Sequence, residues 1–388
     1  MTFDALVTEK NTARSLYKEI ESVRKRTNDI DLTSAAIDVS PLPDHRLSLR
    51  NHDTLKGHID KVVDIDWSSD SSRLLSGSQD GLMLLWDPVS GYKKHVIPLQ
   101  NQWILTCAYS PKRNYIASAG LDNACTIHRV HKDPEYGESF STSSVFKGHT
   151  AYISACQFLS DDCIVTGSGD MTCALWDCKR ATKSRDFVDH LGDILCLSTN
   201  VESQMNPNIF VSGAADGYAR VWDVRQQPSS QSFYTSGTDI NCIRMFPMGH
   251  TFAAGSDDGV IRLYDMRADC QISTFSLHDE MKAFASQSQV YRETQGNSFG
   301  GSPERSSINT SYSSLYSPGV NSLDFSRSGR ILFSCYADYG CVMWDVLKCE
   351  AVGMLGGHQS KISQVRSSPD GMAIATASWD STIKIWAV

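Results

Sequence analysis

Apolar residues recur along this chain at two different periods. From about Arg46 onward, short runs of β-branched and aliphatic residues alternate with polar ones and stop at turn residues. Lys61 to Trp67 reads Lys-Val-Val-Asp-Ile-Asp-Trp, and Arg73 to Gly77 and Leu82 to Trp86 follow after short polar breaks. Runs of this length and composition predict strands. Over the first forty residues the period changes. Leu6, Ala13 and Ile20 lie seven apart, and Leu16, Val23 and Ile30 repeat by seven, three residues further on. This a/d seam predicts a helix from about Asp4 to Arg26, with Lys10, Arg14, Glu19 and Arg24 on its flanks and an end near Asn28-Asp29. So few heptads make a marginal helix alone. It needs a surface of its own domain, or another chain's helix.

The strand-like runs form a repeat. Trp86-Asp87, Trp176-Asp177, Trp222-Asp223, Tyr264-Asp265 and Trp344-Asp345 each close a unit, with weaker closures at His128-Arg129 and Trp386-Ala387. The spacings run from 42 to 48 residues, except for one of 80. Gly-His or a relic opens most units, as at Gly57-His58, Gly148-His149, Asp189-His190, Leu277-His278 and Gly357-His358, and an Asp after small residues precedes each closing aromatic. The pattern resembles the WD40 family, which implies an all-β fold: a seven-bladed propeller of four-stranded blades over residues 41–388, preceded by a helix and linker over 1–40. A buried Asp must be paired. The repeated residues therefore read as a structural relay: His58, Ser76 or Ser78, Asp80 and Trp86 in blade one, then His149, Asp170 and Trp176, His190, Asp216 and Trp222, and His358, Asp380 and Trp386. Residues near Arg46 to Leu55 supply the outer strand that closes blade seven.

The sixth unit is stretched. His278 to Trp344 spans 66 residues against 28 from His58 to Trp86. The excess, 279–319, holds ten serines and few aliphatics, so a disordered insertion is expected before a strand near Val320 to Phe325. Ser302-Pro303 and Ser317-Pro318 make Ser302 and Ser317 candidate phosphosites for proline-directed kinases.

Composition narrows the function. With 36 Lys and Arg against 44 Asp and Glu, the net charge is −8, which argues against a nucleic-acid partner. No apolar run is long enough for a membrane helix. Twelve scattered cysteines without a Cys-x-x-Cys pair read as reduced, mostly buried side chains. No catalytic, cofactor or metal motif is found. His128 and His131 read as a surface pair at a strand end. Binding remains, and propeller geometry points to the narrow face round the channel. Residues three after each Gly-His (Lys61, Trp103, Tyr152, Asp193, Asp239, Lys361) and just before each relay Asp (Gln79, Leu121, Gly169, Ala215, Asp257, Ala337, Trp379) project there. Exposed aromatics rimmed by charge have the composition of a protein contact.

Local motifs sharpen the resemblance. Ser78-Gln79-Asp80-Gly81, Ile97-Pro98-Leu99, Trp103 with Thr106-Cys107-Ala108-Tyr109, Gly120-Leu121-Asp122-Asn123, Cys173-Ala174-Leu175-Trp176-Asp177, Gly255-Ser256-Asp257-Asp258 and Ser378-Trp379-Asp380-Ser381 resemble the β subunits of heterotrimeric G proteins. The Ser-rich expansion resembles that of the fungal pheromone-pathway members. The resemblance implies no enzyme activity and no cofactor. It implies a γ-subunit helix paired with Leu6, Ala13, Leu16, Ile20 and Val23. It implies an α subunit and effectors on Ile59, Lys61, Trp103, Leu105, Leu121, Asn123, Tyr152, Asp193, Leu195, Asp239, Asp257 and Trp379, with Leu84 and Lys93 meeting the α subunit along blade one. It places the chain in the cytoplasm and at the cytoplasmic face of the plasma membrane, held there only through lipidated partners. Val63, Leu82 and Ser236 depart from the family pattern, where Tyr, Lys and a fifth relay His are usual. The rival class is another WD40 adaptor, such as a ubiquitin-ligase substrate receptor or a chromatin subunit.

Overall fold

In the computed structural model the described residues are 49–100, 102–133, 137–200, 207–226, 229–277, 318–337 and 340–387, with Thr12, Ser15, Leu16, Lys18, Glu19, Ser22, Leu32, Ala36, Ile37, Val39, Ser40 and Leu42. The chain divides into two units, Met1–Pro41 and Leu42–Val388. In the first, the backbone is α-helical at Thr12, Ser15, Leu16, Lys18, Glu19 and Ser22. The Ser15 and Ser22 hydroxyls donate to the carbonyls of Thr12 and Glu19, three residues back, both at 2.8 Å. Leu16 is exposed. Leu6, Ala13, Ile20 and Val23 lie outside the described residues, as do Ser302 and Ser317.

The second unit contains seven four-stranded antiparallel sheets. The first strand, β1 (Arg50–Lys56), belongs to the last sheet. Blade one is β2 (Val62–Trp67), β3 (Leu74–Ser78), β4 (Leu82–Trp86) and β5 (Lys93–Pro98), paired in that order. Five more blades repeat the plan. Blade seven has the order β1-β28-β27-β26, with β26 (Ile362–Ser367), β27 (Ala373–Ser378) and β28 (Thr382–Ala387). β1 pairs antiparallel with β28 from Arg50 opposite Ala387 to Lys56 opposite Thr382. The expected ring closure is therefore present, and it joins the two ends of the repeat array by main-chain hydrogen bonds.

The core lies between blades. Leu55, Ile383 and Ile385 of blade seven pack with Val62, Ile65, Leu74, Leu84 and Trp86 of blade one. Leu75, Met83 and Leu85 of blade one pack with Ile104, Cys107 and Ile116 of blade two. A middle strand is thus covered on both faces, which is why every residue of β3 is buried and why its sequence loses the period-two alternation. All twelve cysteines are free thiols, and nine are buried.

The inner strands are β2, β6 (Ile104–Tyr109), β10 (Ile153–Ser160), β14 (Ile194–Thr199), β18 (Ile240–Met245), β22 (Val320–Phe325) and β26. Each shifts register after its first residue. A bulge bends the strand and re-aims the extra side chain; Val63, Leu105 and Leu195 occupy that position and line the central channel. Deeper in the channel, polar side chains tie each blade to the next. Asp64 accepts the Thr106 hydroxyl and the Cys107 amide, both at 2.9 Å, and the Gln364 amide group at 2.8 Å. Asp66 accepts the Tyr109 amide at 2.8 Å, Ser198 accepts the Met245 amide at 2.8 Å, and Asp324 accepts Arg244 at 2.7 Å. Burial raises the Asp66 carboxyl to about 6, against the pull of Arg366.

Candidate partner-binding face

Among the described residues the relay is complete in four blades. In blade one, His58 Nδ1 meets Asp80 at 2.9 Å, His58 Nε2 meets the Ser76 hydroxyl at 2.7 Å, and the Trp86 indole donates to the same hydroxyl at 2.9 Å. Ser76, not Ser78, is the relay serine; the Ser78 hydroxyl lies one step further along the same face, where it donates to the Asp60 carbonyl at 3.2 Å and accepts the Asp80 amide at 3.3 Å. His149 with Asp170, Thr166 and Trp176, His190 with Asp216, Ser212 and Trp222, and His358 with Asp380, Thr376 and Trp386 repeat the arrangement at 2.7 to 3.0 Å. Each relay Asp also grips the loop above it. Asp80 accepts the amides of Ile59 at 3.1 Å and Leu82 at 2.9 Å, and Asp216 accepts those of Leu191 and Tyr218, both at 3.0 Å. Burial by itself raises the Asp216 carboxyl, but hydrogen bonds from His190 and these amides outweigh it and hold the group at about 2. The relay thus positions a surface loop from a buried imidazole.

Blades two and five lack this arrangement. In blade five Ser236 stands in the place of the His, and Ala254 and Tyr264 replace the relay hydroxyl and indole. Arg262 takes over, donating to Asp258 at 2.8 Å and to Ser256 at 3.0 Å, while Tyr264 stacks on Phe252 with centroids 5.2 Å apart. In blade two His128 sits where the other blades carry Trp. It was expected at the surface, but its exposure is only 4%. Its strand β8 (Ala124–Asp133) is covered by its neighbours at that position, whereas His131, three residues on, is exposed and bonds Ser141 at 2.7 Å. His128 Nε2 has no hydrogen-bond partner, and burial lowers the imidazole to about 4.

The two sets of positions projected onto the narrow face meet in every blade. The second-set amide donates to the first-set carbonyl: Gln79 to Lys61, Leu121 to Trp103, Gly169 to Tyr152, Ala215 to Asp193, Asp257 to Asp239 and Trp379 to Lys361, at 2.9 to 3.1 Å. Ala337 donates to Gly319 at 3.1 Å in blade six, which supplies the member that the sequence left blank. One backbone bond per blade therefore fixes seven pairs round the channel mouth. Trp103 is 54% exposed, Leu121 50%, Trp379 39% and Ile59 86%. The face is electrically divided. Lys61 Nζ lies 4.1 Å and Lys361 Nζ 5.2 Å from the centre of the Trp379 ring, a double cation–π contact. Asp193, Asp239 and Asp257 belong to blades four and five, and the Tyr152 hydroxyl donates to Asp193 at 3.0 Å.

Lys61, Trp103, Leu105, Leu121, Asn123, Tyr152, Asp193, Leu195, Asp239, Asp257 and Trp379 all stand at this mouth or its rim, with Ile59 on the adjoining loop. Asn123 holds a φ of 60° in the turn and donates to the Thr150 carbonyl at 3.3 Å, joining blades two and three. Leu84 needs correction. It is fully buried between blades one and seven, because β4 is a third strand covered on both faces. The side of blade one is presented by β5 instead, where Lys93 is exposed and donates to the Gly57 carbonyl at 3.3 Å. Lys361 and Asn241, which reaches Asp257 at 3.4 Å, were not among the candidate contacts. Lys361 was already projected on the face, and only its place beside Trp379 was missing.

A family model described as G protein beta WD-40 repeat protein matches residues 4–294, and the model described as WD domain, G-beta repeat matches 309–345 and 349–387. The guanine nucleotide-binding protein subunit beta of Saccharomyces cerevisiae is 46% identical over 385 residues, covering 97% of this chain and 89% of the relative. With seven blades, a relay complete in four of them and a relative 46% identical over 97% of this chain's length, the chain belongs to the G protein β family of WD40 repeat proteins.

Proposed function

We propose that this protein is the β subunit of a heterotrimeric G protein, and that its narrow face alternates between an α subunit and effectors. The propeller of this family is a non-enzymatic signalling scaffold, so its output is occupancy of a surface. The GDP-bound α subunit covers Trp103, Leu121 and Trp379; GTP remodels the α subunit and lowers its affinity, and the same side chains then engage effectors. The N-terminal helix pairs with a γ subunit through Leu6, Ala13, Leu16, Ile20 and Val23, and lipid on the partners brings the chain to the membrane. Ser302 and Ser317 are sites where kinases adjust the signal.

The observation that carries this reading is the exposed Trp103 at the mouth of a ring of backbone-locked turns. An apolar cluster of this kind on a charged rim is a contact surface. Trp103→Ala should weaken binding to a GDP-bound α subunit by about 2 kcal/mol, roughly thirtyfold, and should impair effector binding while sparing the γ subunit. Titration calorimetry and a melting curve on one variant test it. Unchanged affinity with a lowered melting temperature would show that Trp103 serves the fold instead.

A further inference from the structure

The fifth residue of each inner strand forms one level of the channel. Blades five, six, seven and one supply Arg244, Asp324, Arg366 and Asp66 there, in ring order, whereas blades two, three and four supply Ala108, Gln157 and Ser198. The charge is thus gathered on one arc. Its carboxylates are already engaged by the protein. Asp324 accepts Arg244 Nε at 2.7 Å and the Ser367 hydroxyl at 2.8 Å, and Asp66 accepts the Tyr109 and Trp67 amides at 2.8 and 3.1 Å. Arg366 is different. Its guanidinium donates to the adjacent Val365 carbonyl at 3.3 Å and forms no ion pair among the described residues.

These side chains wall a cavity of about 330 Å³ to which all seven inner strands contribute. Its charged residues balance: Asp64, Asp66 and Asp324 against Arg244, Arg327 and Arg366. Asp64, like the other two, is engaged, by Thr106, Cys107 and Gln364. The Asp66 carboxyl feels the positive charge of both Arg366 and Arg244, so the two guanidinium groups serve the same part of the cavity. Burial nonetheless raises that carboxyl to about 6. A proton on Asp66 would leave the wall with one net positive charge. The other titratable groups on it, the thiols of Cys107, Cys156, Cys196 and Cys242 and the Tyr109 phenol, are protonated at neutral pH and below.

We propose that the channel is a binding site for a small free oxyanion of the sulfate or phosphate kind, held by the Arg366 guanidinium with Arg244 beside it. A planar fork of N–H donors matches two oxygens of such an ion. The walls come from every blade, so the ligand is an ion small enough to diffuse into the channel. Asp66 stands against it as a like charge while ionised. Anion binding therefore draws a proton from solvent onto Asp66, and affinity rises as pH falls through the range where that carboxyl titrates.

Sulfate, whose charge is constant over this pH range, is the probe. Calorimetry on the full-length protein, at fixed ionic strength and in two buffers of different ionisation enthalpy, reads affinity and proton uptake together. One saturable site is expected at pH 7.5, with a dissociation constant on the order of 1 mM, and it should tighten about fivefold at pH 5.5 with net proton uptake. Arg366→Gln, which breaks no ion pair, should weaken sulfate at least about tenfold while leaving the melting curve near that of the wild type. Asp66→Asn carries no charge at either pH. It should bind at pH 7.5 as tightly as the wild type does at pH 5.5, and take up no proton. Binding that does not saturate, an adventitious ion only, overturns the proposal. So does equal affinity in the wild type and Arg366→Gln, or a wild-type affinity that is the same at both pH values. None of these outcomes bears on α-subunit binding, which Trp103→Ala probes separately.

Discussion

Blades two and three are neighbours with the same strand plan and different chemistry at the centre. In blade three His149 bridges Asp170 and Thr166, and Trp176 closes the network. In blade two the ring is missing, and an imidazole with an unpaired nitrogen stands in the indole's place. Yet both inner strands bulge after their first residue, and both turns lock by the same backbone bond, from Gly169 to Tyr152 at 2.9 Å and from Leu121 to Trp103 at 3.1 Å. The face therefore takes its shape from strand register and from packing of one blade on the next. The relay satisfies buried polar groups and stiffens the loop above them. Blade five, with Arg262 bridging Ser256 and Asp258, shows that the same need is met by another network.

The sharpest way to break this comparison is to remove the carboxylate from each kind of blade. Asp216→Ala leaves His190 and two loop amides without their acceptor, and should cost about 3 kcal/mol. Asp122→Ala, at an exposed turn, should cost under about 1 kcal/mol. Denaturant unfolding of both variants decides, and equal losses would mean that blade two uses a relay after all. Exchanging the closing ring is the next test. Trp176→His removes a buried indole and its hydrogen bond and should cost about 3 kcal/mol. His128→Trp should instead stabilise by about 1 kcal/mol, with its indole N–H donating to Ser118, which opposes Thr126 as Ser76 opposes Leu84. A destabilised His128→Trp would show that blade two has no room for the ring.

The smallest effect is in pH. The His128 imidazole stays neutral in the folded protein down to about 4, whereas a free histidine charges near about 6.5. Between those values the unfolded chain binds more protons, so stability falls as pH drops through that window. The relay carboxylates act lower. Asp216 and Asp380 are held at about 2, so their contribution is complete above about 4 and is lost as pH falls toward 2. Amide hydrogen exchange at mildly acidic pH should therefore loosen blade two before blade four, and His128→Trp should abolish that difference.

Much of the fold was legible because each blade is a local unit. The strand near Val320 to Phe325 appears at those residues, and the relay partners of blades one, three, four and seven lie within one repeat. The errors fell where burial is set by a neighbouring blade. Leu84 was expected at the α subunit through the family resemblance alone, but blade seven covers it. His128 looked like a surface histidine because it pairs with His131 at the end of a strand-like run, but it is buried at that position.

A repeat of 42 to 48 residues carries its own hairpin register, turn residues and relay, since all of these are contacts of short sequence separation. The amino-acid sequence by itself therefore determined the number of blades, the residues that pin them and the turns that face the channel mouth. Contacts between blades depend on how the ring closes. Lys61 and Trp379 become neighbours only when β1 joins β28, and Gln364 reaches Asp64 at 2.8 Å across the same seam. The divided charge of the face, the polar ties along the channel and the burial of His128 in blade two were decided by tertiary structure, because burial and cross-blade distance exist only once seven separate sheets share one axis.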